Sequence, residues 1–109
     1  SLKNCILRFD HSGRPKALAK RVVTALRNFP EEFGFLGPRP GGTFGFDRSA
    51  LTDAATRRRL PPPDVTAITD AFRKDGALTR EPIAGDPILD LDPVWWHRFD
   101  PKETQTCPR

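Results

Sequence analysis

Apolar side chains recur at helical spacing in three stretches of the chain, each bounded by proline, glycine or a capping residue. In the first stretch, 15–29, apolar positions from Leu18 to Phe29 follow i, i+4, i+7, i+8 and i+11. Pro15 suits the first position of a helix, where its missing N–H leaves no donor unpaired, and Pro30 cannot continue the helix. The pattern predicts one amphipathic helix over 15–29. Its polar side is basic and carries Lys16, Lys20, Arg21 and Arg27.

Two further helices are predicted on either side of a proline run. The second spans roughly 48–59, with Asp47 or Ser49 as its N-cap. Leu60-Pro61-Pro62-Pro63 then forces an extended break, and Pro63 can serve as the first residue of the third helix, which ends before Gly76 as C-terminal cap. The inward-facing positions are Leu51, Ala54 and Ala55 in the second helix and Val65, Ile68 and Phe72 in the third.

The remaining apolar stretches are shorter and predict extended structure. Residues 4–9 fit a strand or the lead-in to a helix, and we predict a strand. Residues 43–46 alternate as a short strand with both phenylalanines on one side. Residues 77–83 and 87–91 flank Ala84-Gly85-Asp86, which has the composition of a hairpin connection.

Two further segments are rich in aromatic residues. The connection over 31–42 contains so much glycine and proline that it predicts a loop, with Phe33, Phe35 and Leu36 tucked against the core. After Pro93, residues 94–99 form an aromatic closing segment.

The order of these elements resembles the winged helix-turn-helix superfamily. Over about 15–92 the order is helix, strand, helix, proline turn, helix, strand, turn and strand. The resemblance is strongest in 50–92, where the stretch VTAITDAFRKDGALTRE is the most characteristic part. It implies an α+β fold: a small winged-helix domain of three helices with a short antiparallel sheet and a wing hairpin. We expect an N-terminal extension over 1–14, the domain over 15–99 and a polar tail over 100–109.

Length and charge make a binding module the first expectation. A chain of 109 residues forms one domain without two lobes around a deep cleft. Of its net charge of +4, residues 1–60 carry 12 Lys/Arg against 5 Asp/Glu, a net +7, whereas residues 61–109 carry 6 against 9, a net −3. A polyanion should therefore prefer the first half.

Winged-helix domains commonly bind DNA with the third helix in the major groove, so the resemblance implies nucleic-acid binding, with duplex DNA as the expected ligand. The third helix and wing depart from that pattern because Asp64, Asp70 and Asp75, and then Glu81, Asp86, Asp90 and Asp92, would repel phosphates. The candidate contacts are Arg57, Arg58, Arg59, Arg73 and Lys74, with Lys16, Lys20 and Arg21 as secondary ones.

The alternative function is protein–protein assembly through the acidic third helix and wing. Trp95 and Trp96 are adjacent, so one is expected in the core. The other is a candidate anchor for a partner or a stacking platform for an unpaired base, although packing against the first helix is the favoured interpretation.

No motif predicts catalysis, a metal or a cofactor. Asp10-His11-Ser12 holds the residue types of a hydrolase triad, but such triads are assembled from distant positions. The aspartates at 86, 90 and 92 match no calcium loop, and the glycine-rich GPRPGG lacks the lysine and strand–loop–helix frame of a phosphate cradle. A small nuclease or toxin-type enzyme stays a lesser alternative.

Cys5 and Cys107 form neither a disulfide framework nor a zinc pattern, and we expect two free thiols. No apolar run approaches the roughly 20 residues that span a bilayer. We therefore expect a soluble intracellular protein, cytoplasmic or nuclear. The sequence leaves its oligomeric state open.

Overall fold

Helices and short strands combine in an α+β arrangement, with the helices in the majority among the described residues. The computed structural model describes residues 2–10, 13–33, 37–38 and 44–98. The helices are α1 (Leu2–Ile6), α2 (Pro15–Asn28), α3 (Pro30–Phe33), α4 (Arg48–Arg57), α5 (Val65–Lys74) and α6 (Pro93–His97). The strands are β1 (Gly37–Pro38), β2 (Phe44–Asp47) and β3 (Ile88–Leu91). The predicted α+β class is confirmed.

The three long helices begin and end close to the predicted positions. Asp47 caps α4 by accepting a hydrogen bond from the Ser49 amide at 2.8 Å, and Asp64 caps α5 through the Ala67 amide at 3.0 Å. Gly76 follows α5 with a φ of +74°, a conformation that L side chains avoid. These helices are specified locally, so the sequence predicts them well.

The core lies between α2, α5 and the sheet. The predicted inward positions of α2 are buried, except that Phe29 is half-buried, and α2 packs along α5. The Phe72 ring of α5 meets Phe46 of β2 and Trp95 of α6 edge-on, with centroids 5.7 and 5.2 Å apart. The third helix thus joins the helical layer to the sheet.

The sheet is antiparallel, with β2 between β1 and β3. Phe46 pairs with Leu89 in the register of β2 and β3. On the other side of β3, Leu78 forms a single bridge with Leu91, and the Thr79 amide approaches the Asp90 carbonyl at 3.4 Å. In the described residues, the second arm of the predicted 77–91 hairpin is therefore a regular strand, β3, whereas the first arm contributes only this bridge. We call residues 80–87 between the two arms the 80–87 loop.

Two predictions of local structure are wrong. Residues 4–9 were expected as a strand, but residues up to Ile6 belong to α1, which contacts α2 and leads Ile6 and Leu7 into the core. The predicted 31–42 loop contains α3 and β1, and Phe33 is buried as expected. Phe35 and Leu36 lie outside the described residues. Short apolar runs lack periodicity, so packing decides their conformation.

The expectation of free thiols is also wrong, because Cys5 is disulfide-bonded. The only other cysteine of the chain, Cys107, lies outside the described residues, as does the predicted tail over 100–109. A disulfide is typical of oxidising compartments, so the intracellular location stays an untested prediction.

Candidate functional site

Ion pairing divides the predicted basic contacts into two groups. Arg58 donates from Nη2 to Glu32 Oε1 at 2.6 Å, and Lys3 Nζ approaches the same oxygen at 2.5 Å. Burial disfavours the Glu32 carboxylate, but the hydrogen bonds from Lys3 and Arg58 outweigh that effect and lower its pKa. Arg58 is thus already engaged in an ion pair within the fold, where Glu32 of α3 joins α1 to the end of α4.

Arg73 is likewise engaged. Its Nε and Nη2 donate to the two carboxylate oxygens of Glu81 at 2.9 and 2.7 Å, and its Nη1 donates to Asp70. The hydrogen bond from Arg73 lowers the pKa of Glu81, so both partners stay charged. Two carboxylates therefore surround the only arginine of α5.

The other candidates remain open to solvent. Arg57, Arg59, Lys74 and Lys16 are exposed, Lys20 is half-buried, and none of these five side chains has an ion-pair partner among the described residues. Arg21 is half-buried, and burial lowers its pKa. Exposed, uncompensated cations are the groups that a phosphate can reach without breaking an existing contact.

The two tryptophans have different environments. Trp95 is 1% exposed, and its Nε1–H donates to Asp75 at 2.7 Å, so it is the core member of the pair. Trp96 is half-buried under Arg27, whose guanidinium lies 5.0 Å from the ring centroid and donates to the Trp96 carbonyl at 2.7 Å. Because Arg27 belongs to α2, Trp96 contacts the first long helix, which was the favoured expectation for the second tryptophan.

A groove of about 650 Å³ lies beside α5, and we call it the α2–α5 groove. One wall is formed by residues 8–10 and 13–15, just before α2, and the other by Pro61–Pro63 and the exposed side of α5. Its apolar surface comes from Phe9, Leu18, the three prolines, Ala67 and Ala71. Its volume is in the range of ligand-binding pockets.

The charges around this groove are equal in number but unequal in availability. Arg8, Arg14 and Lys74 line it without a carboxylate partner in the described part of the chain. Of the three lining carboxylates, Asp70 pairs with Arg73, which leaves Asp10 and the capping residue Asp64 against three cations. The uncompensated charge at the groove is therefore positive.

A second, shallower cleft of about 260 Å³ separates α5 from the 80–87 loop. Arg48 fixes this loop: its Nε donates to the Pro87 carbonyl at 2.9 Å, and its Nη1 donates to Thr69 Oγ1 at 2.8 Å. Ile83, at the tip of the loop, is 71% exposed. The cleft thus has a loop held by Arg48 on one side and presents one exposed aliphatic side chain.

Sequence reasoning missed Arg8, Phe9 and Arg14, which lie in the segment predicted as an N-terminal extension. The signal available was the pairing of a cation with an aromatic residue, Arg8-Phe9, a few positions before a basic helix. Their placement against α5 depends on tertiary packing. Of the Asp10-His11-Ser12 stretch, His11 and Ser12 lie outside the described residues.

The comparisons with protein-family models, curated proteins and solved structures found no match to this chain. Among the described residues, no three His, Cys, Asp or Glu side chains gather closely enough to hold a metal ion. Nor does any described helix have the length and apolar character needed to cross a bilayer.

Proposed function

We propose that the chain is a winged-helix domain that binds nucleic acid through the α2–α5 groove and the cations around it. The fold part of the proposal is supported by the order α2, β2, α4, α5, Leu78 and β3, in which β3 lies between β2 and the Leu78 bridge. In this reading α5 is the third helix and the 80–87 loop is the wing.

One observation carries the binding part: Arg8, Arg14 and Lys74 converge on a single groove without carboxylate partners among the described residues. Lys16 follows the groove residue Pro15, and Arg59 precedes the proline wall by two positions. Neutralising phosphates with such cations releases counterions and makes binding depend on salt.

The test is fluorescence polarisation with a labelled single strand and a labelled duplex across about 50–200 mM salt. We expect salt-sensitive binding by the parent. Lys74→Ala and Arg14→Ala should each weaken it and reduce the salt slope by roughly one, the value for one lost phosphate contact.

The matched control is Arg98→Ala, which removes one exposed cation that lies outside the groove lining and so changes the net charge as much as each test variant does. It should bind like the parent. Unchanged binding by folded Lys74→Ala and Arg14→Ala proteins would contradict the proposal.

A second candidate function, docking of a protein partner at the α5–loop cleft, is favoured by the 71% exposure of Ile83. Exposed aliphatic side chains next to a cleft can anchor a partner. The same titration separates the two functions: no binding of nucleic acid at about 50 mM salt would remove the first and leave the second.

A further inference from the structure

We infer that the α2–α5 groove receives unpaired nucleotides of a single strand rather than a duplex. This inference rests on the proposed nucleic-acid function and specifies its ligand. It follows from the shape of the groove, its apolar surface and the position of its carboxylates.

The shape favours a thin ligand. A duplex presents its phosphates on a convex surface, and a winged helix normally meets it with an exposed helix that enters the major groove. Here the exposed side of α5 lines a concavity together with residues 8–10 and 13–15. A volume of about 650 Å³ suits flat bases and a short stretch of sugar-phosphate chain.

The apolar surface favours bases. Phe9 is half-buried and packs against the core, so its ring is held in place while it still lines the groove. The three prolines and the α5 alanines extend that surface. Proteins that bind single strands combine such apolar or aromatic surfaces, on which bases stack, with cations that follow the backbone.

The carboxylates favour unpaired bases over phosphates. Asp64 is exposed and uses one oxygen, Oδ1, to cap α5, and it lines the same groove. A carboxylate repels a phosphate, but it accepts hydrogen bonds from the exocyclic amino groups of bases, as from cytosine N4. Phosphates at Arg8, Arg14 and Lys74, with the bases at Phe9 and Asp64, would satisfy both kinds of charge.

The face that a duplex would use is poorly suited to it. Arg73, on the exposed side of α5, is already bonded to Glu81 and Asp70, whose side chains are 67% and 51% exposed. A duplex approaching α5 and the 80–87 loop would meet these carboxylates first. Charge therefore directs the strand to the groove.

The experiment measures binding of the full chain to labelled oligo-dC, oligo-dT and a duplex at one salt concentration. We expect single strands to bind at least about tenfold tighter than the duplex, and oligo-dC to bind tighter than oligo-dT, which lacks an amino group. Asp64→Ser retains a capping side chain but removes the carboxylate, so it should abolish the preference for oligo-dC.

Phe9→Leu tests the stacking surface without emptying the core. It should weaken single-strand binding roughly 5-fold or more, the effect of losing one stacked base. Phe44→Leu, on the sheet and outside the groove lining, is the matched control and should bind like the parent. Thermal melts establish that each variant is folded.

The outcomes separate this inference from the function on which it rests. Equal or tighter binding of the duplex that is sensitive to Lys74→Ala would overturn the inference and keep the nucleic-acid function. Unchanged single-strand binding by folded Phe9→Leu would also overturn it. No binding of any oligonucleotide would overturn both.

Discussion

At the scale of single residues, the partners of a charge decide whether it can meet a ligand. Arg73 and Lys74 are neighbours on α5 and both are exposed, yet Arg73 is held by Glu81 and Asp70 while Lys74 lines the groove without such a partner in the described chain. Exposed ion pairs add little stability, about 0–1 kcal/mol. Their larger effect here is to select which cations remain available.

Glu32 gives a prediction at this scale. Its pKa is lowered in the fold, so its ion pairs contribute stability above the ordinary carboxyl pKa of about 4.5 and lose it as pH falls through the folded pKa. Glu32→Gln should cost about 1 kcal/mol or less at neutral pH, and the difference from the parent should shrink below about pH 4.5.

Urea unfolding at several pH values measures this difference. Glu31→Gln is the matched control, since Glu31 is the exposed neighbour in α3 and has no ion pair within the described residues. A Glu32→Gln effect that stays constant from pH 7 to acid would show that the ion pairs do not carry it.

At the scale of elements, one arginine ties the 80–87 loop to two helices. The Arg48 guanidinium, at the start of α4, bonds to the carbonyls of Asp86 and Pro87 and to the Thr69 hydroxyl of α5. The loop itself has one turn bond, from the Asp86 amide to the Ile83 carbonyl at 2.9 Å. Arg48 and the Arg73–Glu81 pair therefore hold the loop in position more than its own turn bond does.

Arg48→Ala should release this loop. The variant loses the hydrogen bonds that the charged Arg48 guanidinium donates, and their acceptors lose this donor. We therefore expect a loss of roughly 2 kcal/mol in the free energy of unfolding. Amide hydrogen exchange at Asp86 should accelerate. Arg57→Ala, at the exposed end of the same helix, is the control; equal exchange in the two variants would contradict the proposed role of Arg48.

At the scale of the whole molecule, one core is shared by residues far apart in the chain. Ile6 and Leu7 of the N-terminal segment belong to the same buried cluster as Trp95 of α6. This packing brings the two oppositely charged halves of the chain together at the groove. Arg8 and Arg14 from the basic half line it together with Asp64 and Asp70 from the acidic half.

The bonded Cys5 should stabilise this arrangement. A disulfide restricts the unfolded chain, and its removal typically costs about 2–5 kcal/mol, so Cys5→Ser should lower the melting temperature clearly. Dithiothreitol should lower the melting temperature of the parent and leave that of Cys5→Ser unchanged. A parent melt that is insensitive to reductant would contradict the prediction.

The candidate site was predictable only in part. The sequence identified Lys74, Arg57 and Arg59 as cations available to a phosphate, and they are exposed. It could not tell Arg58 from its neighbours, because the partner, Glu32, lies 26 positions away. Nor could it separate Trp95 from Trp96, since burial depends on what each ring packs against.

The sequence by itself determined α2, α4 and α5, because caps, prolines and apolar periodicity act over a few residues and need no distant partner. Only the tertiary structure decided that residues 2–6 form a helix, that two arginines are neutralised, and that Arg8, Phe9 and Arg14 face α5 across a groove. Those features are contacts between segments separated by tens of residues. Local sequence patterns do not encode them, and they form only when the core brings the segments together.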